Sequence, residues 1–187
     1  MSRRRVERPR RESDLAPAVR AHLESQGFRV WVDPDGADFF DVVARRGEEV
    51  GLVELKLADW KTLLRQAVVR RTYGDWVAVA LSRRSLAVKL LERAGTPNTR
   101  PIGIWSVEGP APEVLRAAEP WPESTRSLFV EHRDALRLLL DTLEAGGVPE
   151  GARWTGFAAR SGRGAGTRSS REWRLDEFPD EGSTRSE

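Results

Sequence analysis

Two carboxylates and a lysine lie close together on two short apolar segments of the sequence. Asp41 follows Phe39-Phe40, and Glu54 and Lys56 belong to the apolar run 50–57. Mg²⁺ is a hard cation that proteins bind through one or two carboxylates, with waters and substrate phosphate oxygens completing its shell. Such an ion would bridge Asp41 and Glu54, polarise a phosphodiester and lower the pKa of a bound water. The three residues therefore indicate metal-dependent hydrolysis of a phosphodiester.

Lys56 stands out because arginine outnumbers lysine 28 to 3 in this sequence. Unlike arginine, lysine loses its proton when it is desolvated, and its compact ammonium addresses a single water or phosphate oxygen. We interpret Lys56 as a catalytic residue, with a plain ion-pair partner as the alternative. Three roles are open from the sequence: orienting the attacking water, deprotonating it, or stabilising the transition state.

A β-hairpin would bring the two acids together. Residues typical of strands run up to a charged tetrad that contains Gly47 and resume after it, as in two strands joined by a tight turn. With the turn centred between Gly47 and Glu48, Asp41 lies directly across from Glu54 on one face. Period-two alternation adds Lys56 to that face and turns the intervening residues inward. Facing carboxylates would lie roughly 5 Å apart at Cβ and repel, so we expect a positive charge between them.

Hydrophobic periodicity predicts the elements around the hairpin. The first helix starts near Ser13 or Asp14, because Pro17 must fall in its first turn, and it ends at Gly27. Asp59 is placed to cap a second helix. The other predicted elements are strands over 28–33, 76–81 and 101–107, helices over 82–94 and 124–145, and a loop-rich crossing between 108 and 124. The apolar side of the last helix is predicted to consist of Leu128, Ala135, Leu136, Leu139 and Leu143. Strands that alternate with helices imply parallel pairing, added here to an antiparallel hairpin.

Asp41 and the triplet Glu54-Leu55-Lys56 straddle this hairpin, with both acids in register and the lysine on their face. In this setting the chain resembles the PD-(D/E)XK phosphodiesterase superfamily, the restriction-endonuclease-like nucleases that include Holliday junction resolvases. The resemblance covers about residues 12–108, and Phe40 stands where the family's name has its proline. It implies an α/β restriction-endonuclease-like core, with a mixed central sheet of an antiparallel hairpin plus parallel strands, flanked by helices.

The resemblance also implies roles for individual residues. The site would consist of the metal ligands Asp41, Glu54 and the backbone carbonyl of Leu55, the catalytic lysine Lys56, and Gln66 beside them. The cofactor would be Mg²⁺, with Mn²⁺ as a substitute. Members of the family often carry a further acid on the first helix, which here would be Glu12 or Asp14. Asp14 has an alternative role as the cap of that helix, because Pro17 sets the helix start close to it.

Length and composition fit one domain with a hydrophobic core and polar appendages. The chain has 187 residues, and its 39% hydrophobic and 32% charged content indicates a soluble globular protein rather than a wholly disordered one. No apolar run approaches the roughly 18 residues needed to span a membrane. The N-terminus has no secretory apolar stretch, so we expect a cytoplasmic protein. The sequence contains no cysteine, which excludes thiolate nucleophiles and cysteine–zinc sites. The predicted divisions are a basic flexible arm over 1–11, a nuclease-like domain over 12–108, a helical extension over 109–157 and a flexible tail over 158–187.

The expected partner is nucleic acid, and DNA in particular. A net charge of +2 does not indicate this, but residues 3–11 hold six arginines against one glutamate. Such an arm is suited to follow phosphates, with a solubilising terminus as the alternative. The candidate nucleic-acid contacts are Arg3, Arg4, Arg5, Lys61 and Arg65. Related nucleases often dimerise to cut two strands, so the resemblance also implies a homodimer.

A second function is open from the sequence: a nucleic-acid-binding or protein-interaction module on the same fold with little catalysis. In that case Asp41 would be a polar strand-end residue, and Glu54 with Lys56 would form an exposed cross-strand ladder. Ser-His-Asp catalysis has no support, because neither histidine lies near a nucleophile-elbow pattern. A dinucleotide site lacks its Gly-x-Gly-x-x-Gly pattern after a strand.

Overall fold

The computed structural model describes residues 9–34 and 39–147 of the chain. The predicted nucleic-acid contacts Arg3, Arg4 and Arg5 lie outside the described residues, as does the predicted tail over 158–187. Within the described residues the protein has an α/β fold, in which a six-stranded mixed sheet in the order β1-β2-β3-β4-β5-β6 is flanked by helices.

The first half of the sheet is antiparallel. Its strands are β1 (Arg29–Val32), β2 (Val42–Arg46) and β3 (Glu49–Lys56). β2 pairs with β3 from Val42↔Val53 to Arg46↔Glu49, which is the predicted register. Gly47, in the two-residue turn, has a φ of 60°, a left-handed conformation that glycine adopts without a Cβ clash. The turn therefore fixes which residues of the two strands face each other.

The second half begins with parallel strands joined by helical crossovers. The elements are α2 (Trp60–Arg70), β4 (Trp76–Leu81), α3 (Arg84–Arg93) and β5 (Gly103–Ser106). β3 pairs with β4 and β4 with β5, both in parallel, and every residue of β4 is buried. Asp59 caps α2 by accepting the Thr62 N–H at 3.1 Å. The predicted order of helix, three strands, helix, strand, helix, strand is confirmed.

The first helix has two parts. A 3₁₀ turn over Glu12–Leu15 leads into α1 (Ala16–Ser25), with Pro17 in the first turn of α1 as predicted. The Asp14 carboxylate accepts the backbone N–H groups of Arg10 and Arg11, at 2.7 and 2.9 Å. Asp14 therefore caps this segment, and its side chain is exposed.

The segment after residue 108 differs from the prediction in two ways. Part of the predicted loop-rich crossing is a strand, β6 (Glu113–Arg116), which pairs antiparallel with β5. The predicted single helix is divided into α4 (Glu123–Arg126), a 3₁₀ turn over Ser127–Phe129 and α5 (Val130–Glu144). The 3₁₀ turn changes the helical phase, so Leu128, predicted to be buried, is 75% exposed. The buried leucines of α5 are Leu136, Leu139 and Leu140.

Two apolar clusters cover the two faces of the sheet. On one face Val43 and Leu52 pack with α2, α3 and α5, and on the other face Val53 and Leu55 pack with α1. The predicted alternation of β3 is therefore confirmed. None of the described helices is long and apolar enough to cross a membrane.

Charged contacts also join α4 and α5 to the sheet. Asp75, which is buried just before β4, accepts the Val50 N–H with one oxygen and pairs with Arg126 and Arg133 through the other. Arg45 of β2 pairs with Asp141 of α5 at 2.5 Å. These contacts hold the C-terminal helix against the strands that carry the candidate site.

Candidate metal and phosphodiester site

The hairpin register brings Asp41 and Glu54 together. Asp41 directly precedes β2, and extending the Val42↔Val53 register by one residue sets it opposite Glu54. Both acids alternate in phase with Val43 and Leu52, so they lie on the face that α2 covers. The extended register agrees with the sequence prediction that the two carboxylates share one face of neighbouring strands.

Asp41 is held by backbone groups on both sides. Its Oδ2 accepts the Leu55 N–H at 2.7 Å, and its backbone carbonyl accepts the Asp33 N–H at 2.9 Å. Asp33 has a φ of 46°, a conformation that non-glycine residues seldom adopt. Burial raises the pKa of Asp41 and outweighs the Leu55 hydrogen bond, which lowers it. Lys56 also lowers the pKa of Asp41, while Glu12 raises it.

The Leu55 carbonyl points to the same side of β3 as Asp41. Within a strand the N–H and C=O of one residue face the same neighbour. The Leu55 N–H faces Asp41, whereas the carbonyl of Lys56 faces the other way and accepts the Ser82 N–H at 3.2 Å. This direction agrees with the expected role of the Leu55 carbonyl as a ligand.

Glu54 is the most buried acid of the site, with 2% of its surface exposed. This burial excludes the alternative in which Glu54 belongs to an exposed ladder. Desolvation raises its pKa to about 7, Arg70 acts against this rise, and the charge of Asp41 adds to it. The Arg70 Nε lies 3.2 Å from Glu54 Oε1, but its N–H is not aligned for a hydrogen bond. We therefore describe the contact as an ion pair.

Lys56 pairs with an acid from the first helical segment. Its Nζ lies 2.5 Å from Glu12 Oε2, with 16% of the Lys56 side chain and 40% of the Glu12 side chain exposed. Of the two acids considered for the first helix, the structure brings Glu12 to the site and uses Asp14 as a cap. Lys56 is therefore an ion-pair partner, which is the alternative that the sequence offered, and its catalytic role stays a prediction.

Sequence reasoning missed Arg70. It is the last residue of α2, 8% exposed, and its guanidinium Cζ lies 3.6 Å from the centre of the Phe39 ring. Phe39 and Phe40 also make edge-to-face contacts with Tyr73. The sequence contained no signal for Arg70, because it is one of 28 arginines and its partner lies 16 positions earlier.

The three predicted residues of α2 differ in burial: Gln66 faces inward, whereas Lys61 and Arg65 face solvent. Gln66 lies one turn before Arg70, on the same side of the helix. Its Oε1 is buried and has no hydrogen-bond partner. Lys61 and Arg65 are exposed, and the Lys61 Nζ lies 5.8 Å from the Trp60 ring. The structure therefore turns Gln66 inward and leaves the two cations on the surface.

The donor set fits a hard divalent cation. In residues 9–34 and 39–147, no three or more His, Cys, Asp or Glu side chains form a group suited to a metal. Mg²⁺ does not require one, because two carboxylates and a carbonyl leave the rest of its shell to water and phosphate. Burial raises the pKa of both Asp41 and Glu54 in spite of Arg70 and Lys56, so further positive charge would stabilise the ionised pair. The unpartnered Gln66 oxygen provides one more polar atom on the α2 side.

Neither histidine joins this group. The His22 ring packs edge-to-face on Trp105 at 5.3 Å, and His132 stacks on Tyr73 at 4.6 Å. Both rings pack against other aromatic side chains.

Comparisons of the chain with protein-family models, with curated proteins and with solved structures gave no significant match. The chemistry of the site is therefore interpreted from its own residues.

Proposed function

We propose that the protein is a metal-dependent nuclease that hydrolyses DNA phosphodiester bonds. The observation that carries the proposal is the placement of Asp41, Glu54 and Lys56 on one face of the β2–β3 hairpin, with burial raising the pKa of both carboxyls. The mixed sheet and the element order support the resemblance to the PD-(D/E)XK superfamily, and membership in it is part of the proposal. A cytoplasmic location and a homodimer belong to the same proposal.

Asp41, Glu54 and the Leu55 carbonyl would hold Mg²⁺ or Mn²⁺. When bound, such an ion supplies Lewis-acid polarisation of the phosphodiester and of a water. The backbone bonds from Leu55 and Asp33 hold Asp41 in place, so the carboxylate is oriented before any ligand arrives. The close cover of α2 over Glu54 excludes water from that side of the site.

Lys56 would act on the phosphate. Its ion pair with Glu12 keeps the ammonium close to the carboxylates, and 16% of its side chain remains exposed to an approaching substrate. A positioned ammonium that donates to a phosphate oxygen stabilises the negative charge that builds up in the transition state. Among the roles left open by the sequence, we favour this one because it uses the same positive charge as the ion pair with Glu12.

Cationic residues near the site would bind the DNA backbone. Arg10 and Arg11 directly precede Glu12, so the basic arm leads to the residue that contacts Lys56. Lys61 and Arg65 are exposed on α2. These groups would add affinity that depends on salt and not on base sequence.

One observation favours the second candidate, a binding module with little catalysis. Glu54 and Lys56 each already have a partner within the protein, Arg70 and Glu12. In such a module these pairs would be purely structural, and DNA or a protein partner would bind without cleavage.

Cleavage of labelled DNA with Mg²⁺ separates the two candidates. We compare the wild type with Asp41→Ala, Lys56→Ala and the control Lys89→Ala, which changes an exposed lysine of α3. For a nuclease, Lys56→Ala should slow cleavage on the order of 100-fold or more while DNA affinity changes little, because the lost contact forms in the transition state. Lys89→Ala should cleave like the wild type. If the wild type, Asp41→Ala and Lys56→Ala cleave equally poorly but bind DNA equally well, the protein is the binding module.

A further inference from the structure

We propose that Arg70 is a positioning residue that sets the spacing of the two carboxylates, by pairing with Glu54 while it stacks on Phe39 of the segment that carries Asp41. This inference rests on the proposed function, since the spacing matters for holding a divalent cation. Arg70 itself is not a catalytic residue, because it acts through Glu54 and Phe39.

Arg70 contacts β3 and the segment that leads into β2. One part of the guanidinium, Nε, lies 3.2 Å from Glu54 Oε1 on β3. Its Cζ lies 3.6 Å from the centre of the Phe39 ring, two residues before Asp41. A single side chain on α2 therefore joins the two segments from which the carboxylates project.

Phe39 is itself fixed on its other sides. Its ring packs edge-to-face on Phe40 at 4.7 Å and on Tyr73 at 5.4 Å, and Phe40 is fully buried in the core. Movement of the guanidinium would therefore be resisted by the aromatic cluster as well as by Glu54. The packing of this cluster links α2 to the segment that leads into β2.

The planar guanidinium is required for this double contact. It can stack on an aromatic ring with its face while its edge meets a carboxylate, whereas the ammonium of lysine is a point charge without a face. A buried ion pair is also an inefficient stabiliser, because desolvation offsets most of its attraction. Geometry is the better account of why an arginine lies here.

The test is binding of Mn²⁺ by calorimetry to the full chain, and it uses two changes that keep the charge of the site. Arg70→Lys removes the planar face, and Phe39→Leu removes the ring while Arg70 and Glu54 remain. Each should weaken Mn²⁺ affinity about three- to tenfold, because the ligands lose their fixed separation. The matched control is Arg45→Lys, since Arg45 is also mostly buried and ion-paired but lies near the turn of the hairpin. It should bind Mn²⁺ like the wild type.

The results separate the inference from the function on which it rests. Weaker binding by both variants with an unchanged control supports the positioning role. If Phe39→Leu binds Mn²⁺ with wild-type affinity, the positioning role is overturned and the metal site stays intact. This conclusion holds whether or not the Arg70→Lys protein folds. If the wild type binds no Mn²⁺, or binds it as well as Asp41→Ala does, the proposed metal site is wrong and the positioning role is lost with it.

Discussion

Glu54→Gln should change how folding stability depends on pH. Burial raises the pKa of Glu54 from 4.5 to about 7. Between those two pH values the carboxyl is therefore protonated in the folded protein and ionised in the unfolded chain. The unfolded chain binds fewer protons there, and the free energy of unfolding therefore falls as the pH rises. Below about pH 4.5 both states are protonated, and above about pH 7 the loss is complete. Each pKa unit corresponds to about 1.4 kcal/mol, so the full loss of unfolding free energy is about 3 kcal/mol.

The glutamine variant has no proton to lose at this position, so its stability should lack that decrease. Replacing the neutral carboxyl by an amide beside Arg70 adds a cost that is the same at every pH. The informative quantity is therefore how the difference in the free energy of unfolding between the two proteins changes with pH. Urea unfolding in EDTA, followed from about pH 4 to about pH 8.5, should show that the wild type loses about 3 kcal/mol relative to Glu54→Gln.

Glu24→Gln is the matched control, because Glu24 is exposed on α1 and pairs with Arg20 of the same helix. Its profile should follow that of the wild type. If the profiles of Glu54→Gln and the wild type run parallel to within about 0.5 kcal/mol, the buried-carboxylate reasoning is refuted.

Two further changes test the packing that supports the site. Gly51→Ala should destabilise the fold by about 1–3 kcal/mol in urea unfolding, because the added Cβ would lie 1.9 Å from the Trp76 ring. Gly109→Ala should have little effect, because its Cβ would meet no atom of the described residues within 4 Å. Leu136→Ala should cost about 2–5 kcal/mol because the side chain is fully buried, while Leu138→Ala, at 64% exposure, should stay within about 0.5 kcal/mol of the wild type. Equal effects at the two leucines would contradict the described orientation of α5.

The arrangement of the site along the hairpin was predictable because it depends on local rules. Strand alternation has a period of two, and the position of Gly47 sets the turn, so the register of Asp41 and Glu54 follows from counting residues. Lys56 was identified by its rarity as a lysine. The choice between Glu12 and Asp14 was not predictable, because it depends on which acid meets Lys56 after folding.

Other features depend on tertiary contacts or on small changes of phase. Arg70 looks like any surface arginine at the end of a helix, and only the folded chain shows it between Glu54 and Phe39. The burial of Leu128 was predicted wrongly, because one 3₁₀ turn rotates the apolar stripe of α5 relative to the residues before it. β6 was missed because a four-residue strand between prolines has too short a pattern to recognise.

The contacts of α5 have a consequence for how the protein can be divided. Leu136 and Leu140 belong to the same buried cluster as Val43 and Leu52, which continue the face that carries the two carboxylates. A fragment that ends at residue 108 would contain every residue of the candidate site but would expose the part of this cluster that α5 covers. Screening for activity or crystals should therefore start from proteins that extend at least through Gly147. A short fragment that fails to cleave DNA would report the loss of α5 rather than the chemistry of Asp41 and Glu54.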